Sequence, residues 1–144
     1  MYKHLLLPTD GSPLSEGSVR RGVKFAREVG AKVTGFYAMP EMRVMAYTIA
    51  LVEDSSAFEK KAAERAEAVL AFVQTIAQQE GVQCDTVMTT SERPHEAIIK
   101  AARERDCDLI VMASHGRRGV EGFFVGSETV KVLTNSKIPV LVHR

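Results

Sequence analysis

Two short, continuous apolar runs constrain the fold of this chain most strongly. Residues 4–8 read HLLLP and residues 109–112 read LIVM. Each run is shorter than an ordinary helix, and apolar residues stand next to one another instead of alternating with polar ones. This pattern is typical of strands that are buried on both faces of a parallel sheet. The two runs therefore predict a sheet that is covered by helices on both sides.

The segments around these runs alternate between strand and helix patterns. The predicted strands cover residues 4–8, 31–38, 82–90, 109–112 and 140–142. The predicted helices cover residues 13–29, about 54–80, a segment from 94 and a segment from 127. In the last helix we expect Val130 and Leu133 to pack inward, with Val132 as a further candidate. The alternation predicts an α/β fold with one open, mainly parallel sheet. The strand at 82–90 is less apolar and is expected near a sheet edge.

Composition favours one globular domain that covers residues 1–144, since 45% of the residues are hydrophobic and 26% are charged. The net charge of +1 provides no field that would attract nucleic acid or an anionic membrane. No apolar run approaches the roughly 20 residues of a membrane span. Cys84 and Cys107 form no C-x-x-C pair, and no signal peptide is visible. We therefore expect a cytoplasmic protein with two inert thiols.

The segment from 108 to 130 carries the strongest functional pattern. Its apolar strand leads into a glycine-rich loop, and a helical pattern begins at Gly126 and Ser127. Glycine lets backbone N–H groups approach an anion closely, and a helix N-terminus adds unpaired donors and a partial positive charge. The segment therefore predicts a phosphate site. It is not a P-loop, because no lysine follows Gly126, and the glycine spacing does not fit the dinucleotide fingerprint.

The segment resembles the nucleotide-binding universal stress proteins. Members of that family carry the pattern G-x2-G-x9-G-S/T, and here nine residues separate Gly116 from Gly126 and Ser127. Ala113 stands where the first glycine is expected. The resemblance covers essentially the whole chain, including PTDGS at residues 8–12 and IPVLV at residues 138–142.

This resemblance implies a five-stranded parallel sheet of order 3-2-1-4-5 and ATP, with Mg²⁺, as the ligand. By correspondence, Asp10 contacts the nucleoside, Ala38 lies beside adenine and Ala113 lies beside the ribose. Gly116, Gly126 and Ser127 correspond to the phosphate-binding positions of the family. The full set of candidate nucleotide-binding residues is Pro8, Thr9, Asp10, Ala38, Met112, Ala113, His115, Gly116, Arg117, Arg118, Gly126, Ser127 and Glu128.

Several of these residues also have purely structural interpretations. Asp10 is either a ligand contact or a turn residue, and Ser127 is either a phosphate contact or a helix N-cap. Gly116 and Gly126 suit left-handed backbone equally well. Arg117 and Arg118 form either a phosphate contact or a solvated loop surface. The methyl group of Ala113 weakens ATP binding if it obstructs the site, and it costs almost nothing if the backbone φ there is negative.

Three functions remain open. The first is an ATP-binding stress-response module whose nucleotide state changes its interaction with an unknown protein partner. The second is a weak ATPase in which His115, Arg117, Arg118 and Mg²⁺ offset charge, although no catalytic base is apparent. The third is a dimeric interaction protein without nucleotide. The resemblance also implies a homodimer through the final strand, with Val140 and Val142 in the contact. The connection over residues 40–54 is either a flap over the site or a partner surface.

Overall fold

The structure is a computed structural model that describes residues 1–41, 55–115 and 125–144. Within these ranges the elements are β1 (His4–Pro8), α1 (Pro13–Val29), β2 (Lys32–Met39), α2 (Ser55–Gln79), β3 (Cys84–Thr90), α3 (Pro94–Glu104), β4 (Leu109–Ala113), α4 (Ser127–Asn135) and β5 (Val140–His143). The connection predicted over residues 40–54 lies outside the described residues from 42 onward. Among the described helices, none is long and apolar enough to cross a membrane.

The five strands form one parallel sheet in the order β3-β2-β1-β4-β5. The predicted open α/β fold and its strand order are therefore confirmed. The central pair joins β1 to β4, with Leu5 opposite Leu109 and Leu6 opposite Ile110. The least apolar strand, β3, lies at one edge, as its composition predicted.

Successive residues of the central strands supply two separate cores, because side chains alternate between the faces of a sheet. Leu5 and Leu7 face α1 and α2, whereas Leu6 faces α3 and α4. The first core includes Val19, Val23, Ala26, Val73, Ile76, Ala77, Leu109 and Val111. The second core includes Phe36, Ala97, Ile98, Ala101, Ala102, Ile110, Met112 and Val132. Burial on both faces explains why the central strands are continuously apolar.

The inward face of α4 differs from the prediction. Val132 is fully buried and Thr129 is 2% exposed, whereas Val130 and Leu133 are each 45% exposed. The expectation that Val130 and Leu133 pack inward is therefore wrong. The physical reason is a polar contact, since the Thr129 hydroxyl donates to the carbonyl of Ala113 at 3.0 Å. This bond turns the face that holds residues 129 and 132 toward the sheet.

The thiols have little thiolate character. Cys107 is buried and Cys84 is partly buried, and neither forms a disulfide. Burial raises the pKa of Cys107 to about 11 and also raises that of Cys84. Because the thiolate is the reactive form, both side chains are expected to behave as small apolar groups.

A buried histidine makes the stability of the fold depend on pH. His4 Nε2 lies 2.7 Å from the Thr34 hydroxyl, and burial, then the charge of Lys32, lowers the pKa of His4 below 6.5. The unfolded chain therefore binds a proton at higher pH than the folded protein does. The contribution of His4 to the free energy of unfolding is fully present above about pH 6.5 and declines as the pH falls.

We expect His4→Gln to reduce this decline, as measured by urea unfolding at a series of pH values from about 7.5 to 5. Some decline should remain, because burial, followed by the charge of Arg21, also lowers the pKa of His143. An equally steep decline in the variant would show that His4 is not the responsible group.

Candidate functional site

The candidate site lies where β1 and β4 end side by side. Because the two strands are parallel neighbours, the turn after β1 and the segment after β4 emerge at the same edge of the sheet. Pro8, Thr9 and Asp10 come from the first strand and its turn, and Met112 to His115 come from the fourth. The structure therefore brings Asp10 and Ala113, which the family resemblance implies as contacts to one nucleotide, to the same edge of the sheet.

The turn after β1 is held by a network of short side chains. The Asp10 carboxylate accepts hydrogen bonds from the backbone N–H of Ser12 and the hydroxyl of Ser15, both at 2.9 Å. The hydroxyls of Thr9 and Ser15 lie 3.0 Å apart, and the Ser12 side chain accepts from the Ser15 N–H as the N-cap of α1. Asp10 therefore has a structural role in this turn. Its contact with a nucleoside stays a prediction.

The helix α2 crosses directly over the same turn. Arg65 donates from Nη2 to the carbonyl of Asp10 at 3.0 Å, and a Cβ on Gly11 would lie 2.8 Å from Val69 Cγ2. Gly11 also has φ of +78°, which other residues rarely adopt. Sequence reasoning missed Arg65, because the charged face of a long amphipathic helix is usually solvent-exposed. No local pattern distinguishes Arg65 from the other charged residues of that helix.

The start of α4 packs tightly against the end of β4. Gly126 donates its N–H to the carbonyl of Ser114 at 2.6 Å. A Cβ on Gly126 would lie 2.9 Å from His115 Cβ and 3.0 Å from His115 Cα. Gly126 has φ of −62°, so the left-handed interpretation of this glycine is wrong. Glycine is required there because two backbone segments approach each other closely.

Gly126 also serves as the N-cap of α4, and Ser127 is the first helical residue. The interpretation of Ser127 as the N-cap is therefore wrong. Glycine has no side chain to bond the first N–H groups of a helix, and Gly126 makes no side-chain cap. Ser127 is exposed beside these groups. The start of α4 thus places its first backbone N–H groups and an exposed hydroxyl beside the end of β4, at the edge of the sheet where Asp10 lies.

Ala113 fits its position without backbone strain. It is the last residue of β4 and is 6% exposed. Within the described ranges, Asp106 is the one non-glycine residue with positive φ, so Ala113 does not need the conformational freedom of glycine. The alternation of β4 places Ala113 on the same face as Leu109 and Val111. Any cost of the methyl group would therefore come from contact with a ligand.

The other candidate residues lie at different depths around the site. Pro8 is buried in β1, and Met112 packs with Ile110 in the core beneath α3 and α4. Ala38 is half-buried near the end of β2. His115 is half-buried, with Nδ1 3.0 Å from the Ser114 hydroxyl. The predicted contacts at Gly116, Arg117 and Arg118 lie outside the described residues.

Glu128 is bound to a neighbouring helix. One carboxylate oxygen, Oε2, accepts from the backbone N–H of His95 at 3.0 Å and lies 2.9 Å from His95 Nδ1. The other oxygen accepts from Lys131 Nζ at 3.2 Å. Burial raises the pKa of Glu128, but the hydrogen bonds from His95 and Lys131 outweigh burial and hold that pKa below its usual value.

The model of the universal stress protein family matches residues 1–144. The chain belongs to this family. Universal stress protein MJ0531 of Methanocaldococcus jannaschii is 31% identical over 143 residues, which cover 99% of this chain and 82% of that protein. Recognition of the family from its glycine pattern is therefore confirmed.

Solved structures of universal stress proteins and their relatives share the fold. The structure of MJ0577, a protein of M. jannaschii, superimposes with a TM-score of 0.81 and 26% identity, covering 99% of this chain and 95% of that one. A universal stress protein from Archaeoglobus fulgidus in complex with dAMP superimposes with a TM-score of 0.70 and 19% identity, and the match covers 99% of this chain and 98% of that one. A universal stress protein in complex with cAMP superimposes with a TM-score of 0.75 and 21% identity, and the match covers 99% of this chain and 97% of that one.

The close approach at Gly126 leads to a prediction on stability. Gly126→Ala should lower the free energy of unfolding by about 1 to 3 kcal/mol, because the new methyl group would overlap the backbone of His115. Gly17→Ala is the matched control, since no atom lies within 4 Å of a Cβ there and α1 should gain roughly 0.5 to 1 kcal/mol. Urea unfolding of both variants checks the difference. Equal effects would mean that α4 can move away from β4 freely.

Proposed function

We propose that this universal stress protein binds an adenine nucleotide at the carboxyl ends of β1 and β4. The observation that carries the proposal is the start of α4, where Gly126 provides no side-chain cap and Ser127 is exposed. A helix N-terminus whose N-cap residue has no side chain is suited to phosphate, and the adjacent strand ends form the usual ligand edge of such sheets. The first turn of α4 would hold the phosphate groups.

The relatives with bound ligands support the choice of an adenine nucleotide. One protein of this fold holds cAMP and another holds dAMP. Both ligands contain adenine, a sugar and one phosphate, so the smallest unit that the site needs to accept is a nucleoside monophosphate. We propose ATP, with Mg²⁺, as the nucleotide, because the chain keeps the second and third glycines of the family pattern.

The proposed roles follow the positions of the residues. Asp10 lies at the end of β1 and would meet the nucleoside, with Ala38 beside the base and Ala113 beside the ribose. Ser127 would donate to phosphate together with the first N–H groups of α4. The charges of Arg117 and Arg118 and the backbone of Gly116 would complete the phosphate site from the loop. ATP would act as a regulator of binding to a protein partner.

The described part of the site supports ATP binding without rapid hydrolysis. Hydrolysis needs a group that positions or deprotonates water. The Asp10 carboxylate bonds Ser12 and Ser15, and both oxygens of Glu128 are engaged by α3 and Lys131. Among the described residues, these two carboxylates therefore have structural partners, and we expect ATP turnover to be slow.

Ser127→Asp separates phosphate binding from folding. A carboxylate in the first turn favours a helix, so the fold should be kept. The same charge should repel phosphate and weaken ATP binding by about tenfold or more, while adenosine binding should change little. Calorimetric titration with ATP and with adenosine measures both affinities, and Ser127→Ala is the uncharged control. Unchanged ATP affinity in Ser127→Asp would remove the start of α4 from the phosphate site.

We also propose that two copies pair through β5. This strand is a sheet edge, and an exposed edge presents unpaired backbone groups. Leu141 on β5 is 42% exposed, and Val130 and Leu133 on α4 add exposed apolar surface. Val140 and Val142 are half-buried within the strand. Pairing of two β5 strands would cover both the backbone edge and the apolar side chains.

Leu141→Asp tests the pairing, because a charge on the exposed side of β5 disturbs the interface and leaves the core intact. We expect the variant to sediment as a monomer at concentrations at which the parent chain is a dimer. Met88→Asp is the matched control, since Met88 is 48% exposed on β3 at the opposite edge. A parent chain that sediments as a monomer, or a Leu141→Asp dimer as stable as the parent, would contradict pairing through β5.

A further inference from the structure

The N-terminus of α3 is capped by a residue from α4. The N-cap residue of α3, Arg93, makes no side-chain cap, so the first N–H groups need other acceptors. Glu128 supplies one, since its Oε2 accepts from the His95 N–H at 3.0 Å. The same oxygen lies 2.9 Å from Nδ1 of the His95 ring. Two donors of one residue therefore bind one carboxylate oxygen across 33 positions of sequence.

This contact lies next to the proposed phosphate site. Glu128 directly follows Ser127 and belongs to the first turn of α4. The helix has only nine residues, so a contact in its first turn restrains its whole start. Gly126 and Thr129 fix the same turn to the end of β4, and Glu128 fixes it sideways to α3. Side chains of His95 and Glu128 are 14% and 39% exposed, so solvent screens this contact only in part.

The contact also affects how the negative charge of Glu128 would act on a bound phosphate. A carboxylate beside a bound phosphate would repel it. Here Oε2 is occupied by His95 and Oε1 by Lys131, which partly offset the charge within the helix pair. The nearby Glu96 pairs with Arg93 at 3.1 Å and lies 3.9 Å from His95 Nε2. The hydrogen bonds from His95 and Lys131 therefore direct the carboxylate oxygens of Glu128 toward α3 and toward Lys131.

We propose that Glu128 and His95 are positioning residues for the nucleotide site. They hold the first turn of α4 at the distance from β1 and β4 at which its N–H groups and Ser127 meet phosphate, and they do not contact the nucleotide themselves. This inference rests on the proposed function. Without the anchor, the start of α4 would occupy the binding-competent position for a smaller fraction of the time. The apparent dissociation constant would rise by the inverse of that fraction.

Calorimetric titration with ATP and with adenosine tests the inference on Glu128→Ala and His95→Ala. We expect Glu128→Ala to bind ATP about tenfold more weakly and adenosine nearly as well as the parent chain, because only the phosphate contacts depend on α4. His95→Ala should lose less ATP affinity, since its backbone N–H still donates to Glu128. The double variant should lose no more than the larger single loss, since both side chains form one contact. Glu104→Ala is the matched control on α3, where Glu104 is exposed and pairs with Lys100.

Glu128→Gln distinguishes loss of the anchor from a general folding defect. The amide carbonyl can still accept from the His95 N–H, so the loss of ATP affinity should be smaller than in Glu128→Ala. Hydrogen exchange of the Gly126 and Val130 amides, which donate to the carbonyls of Ser114 and Gly126, should be faster in Glu128→Ala than in the parent chain when it is measured without ligand. This measurement does not depend on nucleotide binding.

The outcomes separate the two proposals. A parent chain that binds no nucleotide would overturn the proposed function, and hydrogen exchange would still decide whether Glu128 anchors α4. A parent chain that binds ATP, with equal affinity in Glu128→Ala, would overturn the positioning role alone. Equal losses for ATP and adenosine would also overturn it, because they would indicate general unfolding.

Discussion

The pairing of β1 with β4 is the constraint on which the site depends. Asp108 secures this pair at its amino end, where the carboxylate accepts the N–H groups of Lys3 at 2.8 Å and His4 at 3.0 Å, and the Asp108 N–H donates to the His4 carbonyl at 2.9 Å. These three bonds set the register of two strands that are distant in sequence. Because the strands are parallel, the same register brings Asp10 and Ser114 to one edge at the opposite end. A helix that begins beside that edge then completes the cleft.

The sheet could be predicted from sequence because its central strands are buried on both faces, and continuous apolar runs are typical of such strands. The rotation of α4 could not be predicted in this way. Hydrophobicity favoured Val130 and Leu133 as inward residues, yet the buried bond from Thr129 to Ala113 turns the helix so that Val132 faces the core. A polar residue thus decides the orientation of a short helix, since nine residues carry too few apolar side chains to do so alone.

The backbone positions of the site could be predicted from the sequence, but the contacts of its long side chains could not. The family resemblance implied that β1 and β4 are neighbours, so Asp10 and Ala113 could be placed near each other. Contacts made by long polar side chains could not be foreseen. Arg65 reaches the Asp10 carbonyl and Glu128 reaches His95 across 55 and 33 positions, and both residues occur in ordinary amphipathic patterns. Such patterns are typical of solvent-exposed faces, so the sequence contains no sign of which charged residue turns inward.

Gly126 and Ser127 differ in what they indicate about ligand binding. Gly126 lies so close to His115 that the fold itself requires a glycine, whether or not a phosphate binds. A relative without a nucleotide could therefore keep this glycine for packing alone. Ser127 is exposed, lies inside the first turn of α4, and is not needed as the N-cap because Gly126 occupies that position. In the part of the chain that the structure describes, no packing contact requires a hydroxyl at residue 127, whereas phosphate binding would use one. Within the described part of the family motif, Ser127 therefore distinguishes a binding site from a merely structural turn better than the glycine before it.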